Sequence, residues 1–194
     1  ILQGDAVQTG EDGSVSMVMA DHSQFSLGNA GRMTMDEMVY DADAQEGSAL
    51  VSVTEGVFVF VSGMIAKTSV DAMVIRTPAM TMGIRGTKLV GKAGPEGADN
   101  AVTLLEEADG HVGEITVFND VGVQVLNRAN QTLRVAGSDA EMQDPMIVTS
   151  TGVTDMYGAP PLLAPAESSL ITWPRPHLDD TQAPEADAEE SIPA

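Results

Sequence analysis

The stretch Arg76–Thr87, "RTPAMTMGIRGT", is where the fold class is decided. Met80, Met82 and Ile84 stand at every second place, the period of a half-buried strand that turns alternate side chains to one face. Ala79, Thr81 and Gly83 take the other face. All three are small, so a neighbouring layer is expected to pack close on that side. Pro78 has no N–H to give to a ladder and is expected at the start of a strand or at an edge. Gly83 and Gly86 bracket Ile84 and Arg85, which predicts a bulge or tight bend where two backbone layers approach. Arg85 is expected to cap carbonyls or pair with an acid, as its forked donors permit. The segment reads as a folding device more than as a binding loop. It is not a phosphate loop. In "GIRGTK" the order of Thr87 and Lys88 is wrong, and a strand-like "TKLVGK" follows where a phosphate loop needs a helix.

The same period of two runs outward from this stretch through the first 138 residues. It sets Val15, Met17 and Met19 on one face, then Phe25 with Leu27, Met33 with Met35, and Ala49 with Val51 and Val53. Further on it aligns Ile115 with Val117, Val121 with Val123 and Val125, and Leu133 with Val135. "VFVFV" (Val57–Val61) is apolar on both faces and is expected to be a central strand. Between strands, the Asp-Gly pairs of "EDGS" (Glu11–Ser14) and "ADG" (Ala108–Gly110) predict tight turns with positive φ at glycine. "ADHS" (Ala20–Ser23) sits in an equivalent place, with His22 in the positive-φ position. "GPEGADN" (Gly94–Asn100) reads as a longer loop, and one helical turn fits near Met64–Ser69. No long amphipathic helix is visible. The expected fold is all-β: many short strands in a rolled or stacked β-solenoid-like domain, with a β-sandwich as the alternative.

Composition narrows the function classes. The 194 residues carry 29 acids against 9 Lys and Arg, a formal charge of -20. That balance opposes binding to DNA, RNA or anionic lipid, which needs clustered cations. There are no cysteines, which excludes disulfides, thiolate zinc sites and cysteine nucleophiles. No apolar run approaches the roughly 18 residues of a membrane-spanning helix. The chain opens on Ile1, inside what reads as a domain, so the 1–138 unit is taken as N-terminally truncated.

After about Ser138 the character changes. From Asp139 onward there are eleven acids and one base, Arg175, among many prolines and alanines. Such a segment buries too little to offset its chain entropy, and 139–194 is expected to be a largely disordered linker or tail. Within it, "MIVTST" (Met146–Thr151) is expected to add one last strand, and "LITWPRP" (Leu170–Pro176) forms a small apolar island able to dock on the domain or on a partner.

Candidate chemistry is sparse. His22 and His111 lie in turn-like contexts and His177 in the tail, with no nucleophile–base signature around them, so no enzymatic activity is expected. No cofactor is expected, calcium being the one candidate. "DADAQEG" (Asp41–Gly47) places oxygen ligands at alternate positions, as a calcium loop does. However, its glycine comes at the seventh position and Ser52 stands where the closing glutamate belongs. Asp36, Asp41 and Asp43, with Glu37, are the acids that would ligate calcium, against the plainer reading of a solvated acidic loop. The paired methionines could suit Cu(I), but core packing explains the same spacing more simply.

"IRTPAMTMGIRGTKL" also resembles the signature of the FecR-type domain, a stretch ending in "ATIGIRGT". The signature positions here are Arg76, Thr77, Pro78, Gly83, Ile84, Arg85, Gly86 and Thr87. Upstream, Gly4-Asp5, Thr9-Gly10, the Asp12-Gly13-Ser14 turn and "SLG" (Ser26–Gly28) follow the family's order. "GVFVFVSG" is similar to its "G-x-F-x-F-x-x-G" segment. The similarity covers about Leu2 to Val135, with departures at Met82, His22 and Lys88, where the family often has Ile, Gly and Glu. The resemblance implies an all-β, extracytoplasmic, non-enzymatic domain with no catalytic residues to carry over. The founding members are inner-membrane regulators that sense a loaded siderophore receptor and control a sigma factor.

These readings lead to an extracytoplasmic module, in the periplasm or at the cell surface, that binds a protein partner. The first expectation is a structural or protein-binding module of an exported envelope or surface protein. The alternative is the periplasmic sensor part of a FecR-type sigma-factor relay in iron or siderophore signalling.

Overall fold

The computed structural model describes residues 1–69, 71–159 and 161. In chain order its strands are β1 (Ala6–Gln8), β2 (Val15–Val18), β3 (Gln24–Leu27), β4 (Arg32–Asp41), β5 (Glu46–Val61), β6 (Met73–Arg76) and β7 (Thr81–Arg85). Then come β8 (Lys88–Ala93), β9 (Asn100–Leu105), β10 (Glu114–Phe118), β11 (Val123–Leu126), β12 (Gln131–Val135) and β13 (Met146–Ile147), followed by helix α1 (Ser150–Tyr157). The expected helical turn is the short 3-10 segment Ile65–Lys67.

All thirteen strands belong to one sheet that curls into a half-barrel. Of the rolled and stacked forms expected, the rolled one is found. Its neighbours are antiparallel throughout, except for the parallel pair β5–β6.

The 16-residue β5 organises the roll. Its first part, through Glu55, pairs with β4 and β6. Its second part, from Gly56, pairs with β3 and β8. The change of partners falls at Gly56, whose φ of 104° is closed to ordinary L side chains. A Cβ there would also stand 2.7 Å from the Cα of Gly31. Gly56 is thus the crease along which one strand serves two walls of the roll.

The inward faces meet in one core. Phe25 and Phe58 stack with ring centroids 5.7 Å apart, and Phe60 tilts against Phe25 at 6.4 Å. Such aromatic pairs add about 1 kcal/mol each beyond their burial. Gly91, opposite Phe58 across the β5–β8 ladder, leaves the space that the Phe58 ring fills. Met33, Met35, Met73, Met80 and Met82 are buried in the same cluster, so packing accounts for the methionine alternation. The ladder between β4 and β5 shifts register between Met35 and Glu37. That irregularity changes the spacing of inward residues from two to three, so that Met38 also packs on the core.

"VFVFV" is central, as expected, and its second face is covered by part of the segment read as a tail. Val59, Val90 and Ala101 form a small outer cluster closed by Tyr157 of α1, with Val153 and Met156 beside it. The helix starts at Thr149, whose hydroxyl accepts the Gly152 N–H at 3.0 Å. It ends at Gly158, whose φ is 71°. Of "MIVTST", only Met146–Ile147 forms a strand, β13 on the outer edge of β12, and its Ser150 and Thr151 already open the helix. The ordered unit therefore extends past Ser138. The island Leu170–Pro176 and His177 lie outside the described residues.

Candidate functional site

The signature segment makes a hairpin and then a corner. β6 and β7 are joined by Thr77–Met80, and Thr77 closes that turn: its N–H donates to the Met80 carbonyl at 2.8 Å, and its hydroxyl accepts the Met80 N–H at 3.2 Å. Pro78 lies in the turn itself, three residues before β7, not at the start of a strand. Met80, Met82 and Ile84 point inward as expected. Gly83 is regularly paired with Val74 and Thr116 on its two sides, so it marks no bulge. The tight bend is at Gly86, with φ of 50°. There the chain leaves the β6–β7–β10 wall for the β5–β8–β9 wall. Thr87 is fully buried at this corner; its carbonyl accepts the Ser62 N–H at 3.0 Å, and its hydroxyl donates to the Leu105 carbonyl at 3.4 Å.

A cavity opens at each end of this hairpin. At the turn, about 270 Å³ is lined by Arg76, Pro78, Met80, Phe118 and Asp120, among others. At the corner, about 470 Å³ is lined by Lys67, Arg85, Gly86, His111, Glu114 and Asn127, with Ala66, Val112 and Gly113 completing the wall. Glu114 is the register partner of Arg85 across β10–β7. Among the described residues no acid comes within ion-pair distance of Arg85 or Lys67, so the expected pairing of Arg85 with an acid is not made by them. Among the described residues, the cations that do pair, Lys92 and Arg134, share Asp99 on the other wall. The corner cavity presents two cations without an ion pair and a histidine beside one acid, Glu114, on a strongly acidic protein, which suits it to an anionic group.

The other candidate residues are dispersed. His22 is exposed, with φ of 66°, in the positive-φ turn expected of it. Its neighbour Asp21 is turned inward to the Ile65 N–H at 3.2 Å. His111 lines the corner cavity, which among the described residues has no serine or threonine in its wall. Asp36 accepts a hydrogen bond from Ser52, and Glu37 one from Ser48. Asp41 ends β4 and accepts the amides of Asp43 at 2.9 Å and Ala44 at 3.1 Å, closing its own turn. Among the described residues no three His, Cys, Asp or Glu side chains converge in a way that could hold a metal ion. Lys67, Glu114 and Asn127 went unnoticed in the sequence, and His111 was read only as a turn residue, because they come from separate segments with no common motif.

The FecR protein family matches residues 5–110, and the chain belongs to that family. Two crystal structures of a "putative anti-sigma factor" from Parabacteroides distasonis ATCC 8503 share the fold, at TM-scores of 0.58 and 0.57 and 17% identity. Each alignment covers 77% of this chain and 62% or 63% of the other, so this chain spans about three fifths of theirs. No curated protein matches by sequence. No described helix is long and apolar enough to cross a membrane.

Proposed function

We propose that this chain is the extracytoplasmic sensing part of a FecR-type relay that controls a sigma factor. The observation that carries the reading is the family match over residues 5–110, and the shared fold with a protein described as a "putative anti-sigma factor" supports it. On this reading the domain acts by binding a protein partner in the envelope and passing on its occupancy. The make-up of the corner cavity, two cations and a histidine, supports recognition of an anionic group. The other expectation, a module of an exported surface protein, shares the protein-binding role but has no transcriptional output.

The two separate in the cell of origin. An in-frame deletion of the region encoding residues 5–138, followed by transcript sequencing, should change a set of genes sharing one promoter type. An unchanged transcriptome would sink the relay and leave the surface module.

A further inference from the structure

The sheet path ends at β11, which pairs with β10 alone. Its other edge has no strand partner among the described residues. Open edges are usually protected by charge, proline or a bulge, yet "VQVL" carries neither charge nor proline and pairs with β10 in unbroken register. The outward face beside this edge is apolar. Phe118 is opposite Val123, and Val125 opposite Thr116. Phe118, Val123 and Val125 are 41%, 63% and 40% exposed. β11 ends at Leu126, and the next residue, Asn127, lines the corner cavity that holds Lys67, Arg85 and His111. A strand edge without a strand partner and an apolar outer face therefore adjoin the cavity at Asn127, with Arg85 on β7 across β10 from β11.

We propose that β11 and this cavity form one docking site for an extended acidic peptide segment of a protein partner. The segment adds to β11 as a further strand, with main-chain hydrogen bonds supplying affinity and alternate side chains specificity. Its apolar side chains cover Phe118, Val123 and Val125. An Asp or Glu carboxylate at its end enters the cavity between Lys67 and Arg85, with Asn127 and His111 as further donors. Charge complementarity favours this occupant: the chain as a whole carries -20 and repels acidic partners, while the cavity wall sets Lys67 and Arg85 against the single acid Glu114. Such complementarity steers an acidic segment toward this cavity.

The test uses the full chain, isotope-labelled, titrated with Ac-Asp-Val-Thr-Val-Thr-Val-Asp-NH2 and with its counterpart carrying Asn at both ends. The acid at each end allows either strand direction. The Asp peptide is expected to shift the amides of Val123–Asn127 together with those of Gly86 and Gly113. The Asn peptide, and the Arg85→Gln and Lys67→Gln variants with the Asp peptide, should each bind about tenfold more weakly, the loss of one charge-assisted hydrogen bond. Both variants alter exposed side chains, so either can serve if the other folds poorly. Val123→Lys should abolish the shifts along β11.

Equal binding of the two peptides, shifts elsewhere on the domain, or no binding would overturn the proposal. So would inorganic phosphate reproducing the cavity shifts while the peptide adds none along β11, which would leave a simple anion site. The proposal rests on the relay reading only in taking the partner to be a protein. The transcript experiment judges that reading separately, and normal gene regulation with Arg85→Gln and Val123→Lys in place would overturn the docking site alone.

Discussion

The phenol oxygen of Tyr157 lies 2.9 Å from the hydroxyl of Thr103, which lies 2.6 Å from that of Thr132. This buried chain of three hydroxyls ties α1 to β9 and β12. It is also where a segment that reads as a tail becomes part of the domain. Tyr157→Phe keeps the ring and the Thr103–Thr132 pair and should cost about 1 kcal/mol. Tyr157→Ala removes the cover from Val59, Val90 and Ala101 and should cost about 3 kcal/mol. Urea unfolding midpoints check both values.

Burial holds the Tyr157 phenol above its ordinary range, against the opposing effect of the Thr103 hydrogen bond. The neutral form is thus the one the fold prefers. Below the ordinary tyrosine pKa of about 10, folded and unfolded chains both keep the proton, and the contribution is fully present. Above it the unfolded chain loses its proton first, so stability falls as pH rises. Thermal melts should show a decline above about pH 10, and Tyr157→Phe should make that decline shallower.

Asp21 is 1% exposed, and its carboxylate is wholly occupied. One oxygen accepts the N–H and hydroxyl of Ser23 at 3.1 and 2.5 Å, and the other accepts the Ile65 N–H at 3.2 Å. It joins the β2–β3 turn to the 3-10 turn after β5. Asp21→Ala leaves buried donors without an acceptor and should cost about 2–3 kcal/mol. Asp21→Asn keeps one acceptor and should cost less. Guanidinium denaturation followed by circular dichroism distinguishes the two, and equal costs would mean that the carboxylate charge carries the effect.

Gly113 packs against the signature corner so closely that a Cβ there would overlap the carbonyl oxygens of Arg85 and Gly86. Gly113→Ala should therefore push β10 away from the corner, at a cost of about 1–3 kcal/mol. Gly122→Ala is the control, because its nearest neighbour would be the flexible end of Met142 at 3.7 Å. A small midpoint change for Gly122→Ala beside a large one for Gly113→Ala is the expected result.

Much of the fold was legible locally. The alternation of Met80, Met82 and Ile84, the double-faced Val57–Val61 run, and the positive φ of His22 and Gly110 follow from side-chain period and turn chemistry. Some local signals misled. Gly13 does not take a positive φ, because its turn closes through the Gly13 N–H on the Gly10 carbonyl at 3.1 Å. Gly83 suggested a bulge, yet flat pairing on both sides needs only a small residue there. The helix after Thr149 carried a weak apolar pattern in an acidic, proline-rich context, and only the uncovered face of Val59 and Val90 gives it a reason to form.

By itself the sequence determined that the chain is built of short strands, that the alternating Met80, Met82 and Ile84 and the paired Phe25 and Leu27 face inward, and that it belongs with FecR-type domains. Those properties depend on residues a few positions apart, where period and turn type act directly. Only the tertiary structure decided that β5 would serve two walls, that α1 would close the outer face, and that Lys67, Arg85 and His111 would share a cavity at the end of an open strand. Each depends on contacts across many intervening residues, such as Asp21 with Ile65 or Thr103 with Tyr157. No local pattern encodes such pairings; they follow from the register in which the rolled sheet buries its core.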